Sequence, residues 1–175
     1  MFTKNIFKVL AMDHQELFDL REVKNYLRIS YDYDDYLISS LLDATIGYAE
    51  SFISLGIRKR VIEFTSNIQN INAFSLKYHP IMEIENIQLK TGQEEEALQD
   101  YRLDPQKGVL YLSRPLEGAE LQMRYSCGFT RNSLSPSIKQ GILLHTAQMY
   151  DRSDQGGVIS EEVRNLYLLF RKVKI

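Results

Sequence analysis

The chain has 175 residues, of which 44% are hydrophobic and 25% are charged, a composition typical of an ordinary globular protein. Its formal net charge of -2 gives no long-range attraction towards nucleic acid or an anionic membrane. The single cysteine, Cys127, excludes an internal disulfide framework. The sequence also lacks an apolar run long enough for a signal peptide or a membrane span. We therefore expect an intracellular protein without membrane partners.

The first part of the sequence predicts two helices. Apolar residues in "LREVKNYLRI" recur at helical intervals, which favours a short helix beginning near Leu20. The next segment predicts a longer helix with a wide buried face, formed by Leu37, Leu41, Ala44, Tyr48 and Phe52 and broadened by Ile38, Leu42, Ala49 and Ile53. Gly56 follows the last apolar turn and is predicted to end this helix.

Three aspartates lie between the two predicted helices, in "SYDYDDYL". Metal binding, paired carboxylate catalysis and helix capping are three possible roles for such a cluster. Asp32 and Asp35 have the spacing of a capping box, and Asp34 adds negative charge near a helix N-terminus. A calcium loop would instead need a glycine at its sharp turn and a later bidentate glutamate. We interpret the aspartates as the start of a helix.

From Arg58 to about Thr130 the hydrophobic period changes to two, which indicates strands. The predicted segments are "RKRVIEF", "AFSLKY", "EIENIQLK", "YRLD", "GVLYLS" and "AELQMRYSCGF". Asp104, Pro105 and Gly108 in "LDPQKGV" have the residue types of a bulged hairpin turn. The acidic "GQEEEA" is predicted to be a solvated loop tip, and "RPLEGAE" to be a link between strands.

Helical periodicity returns after the strands. Ser135 is predicted to cap a third helix with Pro136 at its first position, and Ser160 to cap a fourth. The pattern therefore predicts an α+β fold. A mainly helical core of about four helices carries an inserted antiparallel sheet or small β-sandwich. The expected segments are N-terminal helices over 1–56, a strand-rich insertion over 57–130 and C-terminal helices over 131–175.

Residues that might carry chemistry are sparse. A hydrolase would need Cys127 to meet an imidazole such as that of His145, together with donors for an oxyanion. His14 and His79 are isolated and have no zinc-ligand spacing. Phosphate-binding, dinucleotide-binding and metalloprotease motifs do not occur in the sequence. We therefore predict no enzyme, no cofactor and no metal site, with a small Cys/His hydrolase as the weaker alternative. The eleven tyrosines are compatible with interface use or with ordinary core edges.

Three passages resemble the head–tail connector (adaptor) proteins of long-tailed bacteriophages and of related prophages and gene transfer agents. "EVKNYLRISYDYDDYLISSLLDATIGYAESFISLG" looks like the opening helix pair of that family. "YRLDPQKGVLYLS" and "LQMRYSCGF" are similar to the β-insertion of its longer members, including a Tyr-x-x-Gly end. "LSPSIKQGILLHTAQMYDRSD" looks like the third helix, although Gly141 replaces an alanine that many members carry.

The resemblance implies a virion structural protein rather than a catalyst. Members of the family form a ring, usually of twelve copies, under the portal protein in the virion neck. The ring extends the channel through which DNA passes without specific binding during packaging, and it docks a stopper or tail-completion protein. The protein would be made in the cytoplasm of the host bacterium. Another neck or tail-completion protein is the alternative within the same class.

The resemblance also implies that the C-terminal region contacts the portal. Tyr167 and Phe170 are candidate apolar contacts for portal pockets, and Arg171, Lys172 and Lys174 are candidate orienting charges. The opposing interpretation is a terminal helix packed on its own core with a frayed basic tail.

Overall fold

A computed structural model of the protein describes residues 5–12, 17–151 and 159–171. The chain divides into two compact units. Residues 5–12 and 58–129 belong to a strand unit, and the other described residues belong to a helical unit.

The helical unit contains four helices among its described residues, which are α1 (Leu20–Leu27), α2 (Asp35–Ile53), α3 (Pro136–Tyr150) and α4 (Glu161–Leu168). Helix α3 packs against both α2 and α4. The buried side chains are mostly aliphatic, because each helix turns one apolar stripe towards its neighbours. The hydroxyl oxygens of Thr45 on α2 and Thr146 on α3 lie 2.9 Å apart, so this pair satisfies two polar groups inside the unit.

The strand unit is an antiparallel sheet of β1 (Asn5–Met12), β2 (Arg60–Ser75), β3 (Ile81–Thr91), β4 (Glu94–Ala97), β5 (Tyr101–Asp104) and β6 (Val109–Cys127). The five-stranded part has the order β1-β2-β6-β3-β4. Strand β5 pairs with the first residues of β6, which also pair with the end of β2. The long strands β2 and β6 therefore connect the five-stranded part to a three-stranded part.

Aromatic and aliphatic side chains on one face of the sheet form the core of the strand unit. Phe64 and Phe74 are buried with their ring centroids 6.1 Å apart, and Phe7 of β1 lies 4.8 Å from Phe64. Tyr125 is also buried, and its hydroxyl donates a hydrogen bond to the Lys77 carbonyl at 2.7 Å. Burial raises the pKa of Tyr125 far above its usual range, so this hydroxyl remains a donor.

The predicted α+β fold, with four helices and antiparallel β-structure, is confirmed. Several elements differ from their predicted form. Asn5–Met12 is a strand, so the prediction of helices over 1–56 is corrected there. The acidic segment predicted as a loop tip contains β4. The predicted segments 58–64 and 73–78 overlap the two ends of one strand, β2 (Arg60–Ser75), and "RPLEGAE" lies inside β6 rather than between strands.

The helix ends also differ in part from the prediction. Asp34, rather than Asp32, occupies the N-cap of α2, and Asp35 is its first residue. Ser54, rather than Gly56, takes the left-handed conformation after α2, with φ of 60°. A non-glycine residue can adopt this conformation at a modest cost, so glycine spacing alone predicts helix ends poorly.

Three other predicted turn and cap positions have the expected local structure. Ser135 lies at the N-cap of α3, directly before Pro136. The Ser160 hydroxyl accepts a hydrogen bond from the Val163 amide at the start of α4.

The predicted hairpin turn joins β5 to β6. The Lys107 amide donates to the Asp104 carboxylate at 2.9 Å. Pro105 follows this aspartate in the turn, and Gly108 has φ of +64°. The turn therefore combines a side-chain acceptor with a residue that tolerates positive φ.

Candidate functional site

Helix α2 carries an exposed face in addition to its buried one. Its aromatic members are prominent, since Tyr36 is 88% exposed and Tyr33, just before the helix, is 78% exposed. We use the name α2 face for the exposed residues Tyr33, Tyr36, Leu37, Ser40, Ala44 and Tyr48. Small residues between aromatic ones allow another surface to approach a helix closely, and tyrosine is enriched in protein interfaces. The α2 face is therefore a candidate interaction surface.

The α2 face corrects the predicted burial of this helix. Leu37 and Tyr48 were expected inside, yet both are exposed, whereas Ile38, Ala49 and Ile53 are buried as predicted. The apolar stripe of α2 is wider than the surface that the described part of the helical unit covers. The excess apolar width, more than the number of tyrosines, is the sequence feature that points to a partner.

The aspartate cluster holds α1 to the start of α2. The Lys24 ammonium group of α1 donates to Asp32 and, at 2.7 Å, to Asp35. The hydrogen bond to Asp32 raises the pKa of Lys24 and lowers the pKa of Asp32, so both groups stay charged near neutral pH. The two aspartates thus fix the α1–α2 connection rather than form the predicted capping box.

Tyrosines connect the same corner to the end of α3. The rings of Tyr31 and Tyr33 stack with centroids 4.0 Å apart. The hydroxyls of Tyr31 and Tyr150 lie 3.0 Å apart, and the Tyr150 hydroxyl donates to Asp34 at 2.5 Å. The hydrogen bond to Asp34 raises the pKa of Tyr150, which keeps that donor protonated. This network positions Tyr33 at one end of the α2 face.

The end of α4 presents a second candidate surface. Leu168 is exposed and Leu169 is 73% exposed, whereas Tyr167 has no exposed area. Tyr167 packs where α3 comes close, because a Cβ on Gly141 would lie only 2.6 Å from its ring. Gly141 therefore makes room for this aromatic ring, which explains the absence of alanine at that position.

The buried position of Tyr167 favours the alternative interpretation, a terminal helix packed on its own core, for this one of the candidate portal contacts. A side chain inside the core cannot fill a pocket on another protein without leaving that core. Phe170 is half-buried, and the Arg171 guanidinium lies 5.2 Å from the centre of the Phe52 ring. Lys172 and Lys174 lie outside the described residues. Sequence spacing did not reveal Leu168 and Leu169, which are the most exposed apolar residues at this end.

Cys127 lies at the end of β6 and is completely buried. Its Sγ atom is 3.8 Å from the Arg60 carbonyl oxygen, the distance of a weak hydrogen bond. A nucleophilic thiolate needs solvent access and a neighbouring base or positive charge. The structure places this thiol as a small apolar group of the strand core.

We expect iodoacetamide to leave Cys127 unmodified in the native protein. In about 8 M urea, a concentration that unfolds most domains, it should alkylate Cys127 fully. The reason is that alkylation requires the buried thiol to reach solvent. Intact-mass spectrometry of the two samples measures the result. Rapid native alkylation that also depends on His145 would support the hydrolase alternative instead.

The histidines and acidic groups provide little for metal or acid–base chemistry. His145 is buried on α3 with its ring edge against Tyr48, at a centroid distance of 5.2 Å. His14 lies outside the described residues. Among the residues that the structure describes, no group of three His, Cys, Asp or Glu side chains could hold a metal ion. An open concavity of ≈ 760 Å³ in the sheet is lined by asparagine, lysine and glutamate side chains, by Ile68 and by small residues, without His or Cys.

Across the described helices, none is both long and apolar enough to cross a membrane.

No protein-family model matches the chain, and no curated protein matches it in sequence. Solved structures are similar to the chain in fold. A chain in the neck of an empty gene transfer agent (GTA) particle, computed with C6 symmetry, superimposes with a TM-score of 0.78 at 16% identity. The alignment covers 97% of both chains. The protein shares its fold with a chain of that neck. A chain in the virion of the native GTA particle gives a TM-score of 0.76 at 17% identity and the same coverage. A chain in the neck of the native GTA particle, computed with C12 symmetry, gives the same values.

Proposed function

We propose that the protein is a structural subunit of the neck of a phage-like particle, where it acts as a head–tail connector (adaptor). The observation that supports this proposal is the likeness over 97% of both chains to proteins in GTA necks and virions. A match of this extent includes the strand unit as well as the helices. The similarity of the three sequence passages to the adaptor family supports the same function independently.

A ring of identical subunits needs two different surfaces on each copy that fit one another. The α2 face and the exposed end of α4 are two such surfaces in the helical unit. The first is rich in tyrosine, and the second offers Leu168 and Leu169 beside Arg164 and Arg171. We infer a closed ring of twelve copies by analogy with the adaptor family.

In this proposal the α4 end contacts the portal protein. Leu168, Leu169 and Phe170 supply apolar contact, and Arg171 supplies charge together with Lys172 and Lys174. Tyr167 acts from inside, because its buried ring fixes the helix that carries these residues. The portal surface is then expected to offer an apolar groove with acidic residues at its rim.

The remaining roles concern the DNA and the tail. A net charge of -2 suits a channel through which DNA slides during packaging, since tight phosphate binding would retard it. The strand unit is the proposed platform for a stopper or tail-completion protein. The protein would be made in the cytoplasm of the host bacterium, from a prophage or related element, and would reside in the virion neck.

The portal contact can be tested by co-purification with the portal protein encoded beside this chain. We expect the double substitution Leu168→Asp and Leu169→Asp to weaken binding by about 30-fold or more, because loss of a single buried hot-spot residue already costs about 2 kcal/mol. Surface plasmon resonance on immobilised portal measures the affinity. Truncation after Leu169 should also abolish co-purification.

Met82→Asp is the matched control, because Met82 is an exposed apolar residue of β3 in the strand unit. This variant should bind the portal as the unaltered protein does. Unchanged binding of both the leucine variant and the truncation would eliminate the portal contact. Binding to a tail-side protein, with none to the portal, would identify a tail-completion protein instead.

A further inference from the structure

Strand β1 is a largely apolar strand at one edge of the sheet that the described residues form, and Lys8 and a register shift between Val9 and Ala11 are its two edge-protecting features. One of its eight residues is charged, namely Lys8. Ile6 is 48% exposed, and Val9, Leu10 and Met12 are also exposed. These side chains occupy both faces of the strand, and its outer backbone edge lies at the end of the order β1-β2-β6-β3-β4. Exposed apolar side chains on both faces leave this edge suited to cover by another strand, and the register shift confines regular pairing to the residues on either side of it.

The opposite edge of the same sheet is strongly acidic. Strand β4 has Glu94, Glu95 and Glu96 in succession, and all four of its residues are exposed. Two β4 edges would repel one another, since like charges directly opposite destabilise a strand pair. An uncharged or basic strand can pair there. The β4 edge therefore disfavours pairing with a second β4 edge, whereas the β1 edge is apolar with a single lysine.

The topology determines the direction in which these two edges would meet. Each neighbouring pair in the order β1-β2-β6-β3-β4 is antiparallel, so β1 and β4 point the same way. A head-to-tail repeat of the subunit preserves strand direction from copy to copy. The β1 strand of one copy would then lie parallel to the β4 strand of the next.

The register also places the charges on one face. Phe7 lies opposite the buried Phe64, so Phe7 is on the core face and its neighbour Lys8, which lies opposite Glu63, is on the other face.

Glu95 occupies that same outer face at the far edge. Leu89 packs against the core, so the alternate residue Lys90 points away from it. Glu95 pairs with Lys90, and their charged groups lie 3.7 Å apart. In a continuous sheet, Lys8 of one copy and Glu95 of the next therefore project from the same side. Opposite charges on one face of adjacent strands stabilise the pair.

We propose that two copies of this chain associate by parallel addition of the β1 edge of one copy to the β4 edge of the next, with Lys8 on the same face as Glu95 of β4. The proposal rests on the ring assembly proposed above and specifies edges of the strand unit that join it. Main-chain hydrogen bonds supply the contact, the exposed apolar residues of β1 gain cover, and the glutamates select a basic edge. Each subunit offers both edges once, as a closed ring requires.

A charge swap tests the proposal. Sedimentation velocity over a concentration series should show that Lys8→Glu weakens self-association about tenfold or more, because it places a like charge beside Glu95 of β4. Glu95→Lys should weaken it similarly, and the double variant Lys8→Glu with Glu95→Lys should recover much of the loss. Lys90→Gln is the matched control, because it removes the ion pair within the subunit but keeps Glu95. Unaltered association of both single variants would overturn the proposal.

Cross-linking identifies which edges meet. In a variant with Lys8→Cys and Glu95→Cys, a short bismaleimide should give a ladder of covalent oligomers, while Lys8→Cys alone should give none. The buried Cys127 serves as the internal background in both. Dimers from Lys8→Cys alone would indicate β1–β1 pairing and contradict the proposal. Rings on the portal that never cross-link through the double variant would overturn this inference but retain the proposed function, whereas the absence of any oligomer, with or without the portal, would overturn both.

Discussion

Replacing Gly128 with alanine is expected to lower the free energy of unfolding by about 2–6 kcal/mol, the combined cost of a strained backbone and an overpacked site. Gly128 follows β6 with φ of +117°, a conformation that residues with a side chain rarely adopt. A Cβ there would lie 2.6 Å from the Arg58 carbonyl oxygen and 2.8 Å from the Lys59 Cα. Both neighbours are backbone atoms, so neither can rotate away. The Gly128 amide also donates to the Pro80 carbonyl at 3.0 Å, which holds the turn in place.

Gly118→Ala is the matched control for this prediction. Gly118 also has positive φ, at +74°, but a Cβ there would meet no atom within 4 Å. Its substitution should cost only the backbone strain, about 1 kcal/mol. Urea unfolding followed by circular dichroism and tyrosine fluorescence measures both variants, since the chain has eleven tyrosines and no tryptophan. Equal losses for the two variants would show that the close backbone approach at Gly128 contributes nothing.

Most of the fold could be predicted because periodicity reflects burial within each element. The change from a period of 3.6 to a period of two located the strand-rich middle, and the Asp104–Gly108 turn located the hairpin. The same rule failed for β1 and β4. In these strands neither face is regularly buried, and all but one of their residues are exposed, so alternation has no cause. Strand β1 is stabilised by pairing with β2, which is distant in sequence, and β4 by pairing with the preceding strand β3. The local sequence pattern does not specify either pairing.

The candidate surfaces were harder to predict than the fold. An apolar residue at helical spacing has the same appearance whether its own chain or another chain covers it. Leu37 was predicted inside and lies outside, whereas Tyr167, a candidate partner contact or part of a helix packed on its own core, lies inside. Only the packing of neighbouring helices decides between these outcomes. For Tyr167 the sequence sign was Gly141, since a glycine inside a helix often has a packing reason, here the approach of the Tyr167 ring.

Replacing Tyr167 with alanine is expected to lower the free energy of unfolding by about 3–5 kcal/mol, the usual cost of removing a buried aromatic side chain. The ring is fully buried and lies 6.0 Å from the Phe52 ring and 6.5 Å from the His145 ring. Its hydroxyl is buried without a hydrogen-bond partner among the described residues. Tyr167→Phe should therefore keep or increase stability, because it removes a desolvated polar group and retains the ring.

Leu169→Ala separates a core role from a partner-binding role at the same end of the chain. Leu169 lies two residues beyond Tyr167 and is largely exposed, so its removal should change stability by less than about 0.5 kcal/mol. If Tyr167 stabilises the helix and Leu169 contacts the portal, thermal unfolding should respond to the first substitution and portal affinity to the second. A stable Tyr167→Ala variant with lost portal binding would instead return Tyr167 to the contact surface. That result would require the Tyr167 ring to leave its position against Gly141 when the portal binds. Gly141→Ala would then favour this movement, because the added methyl group crowds the ring.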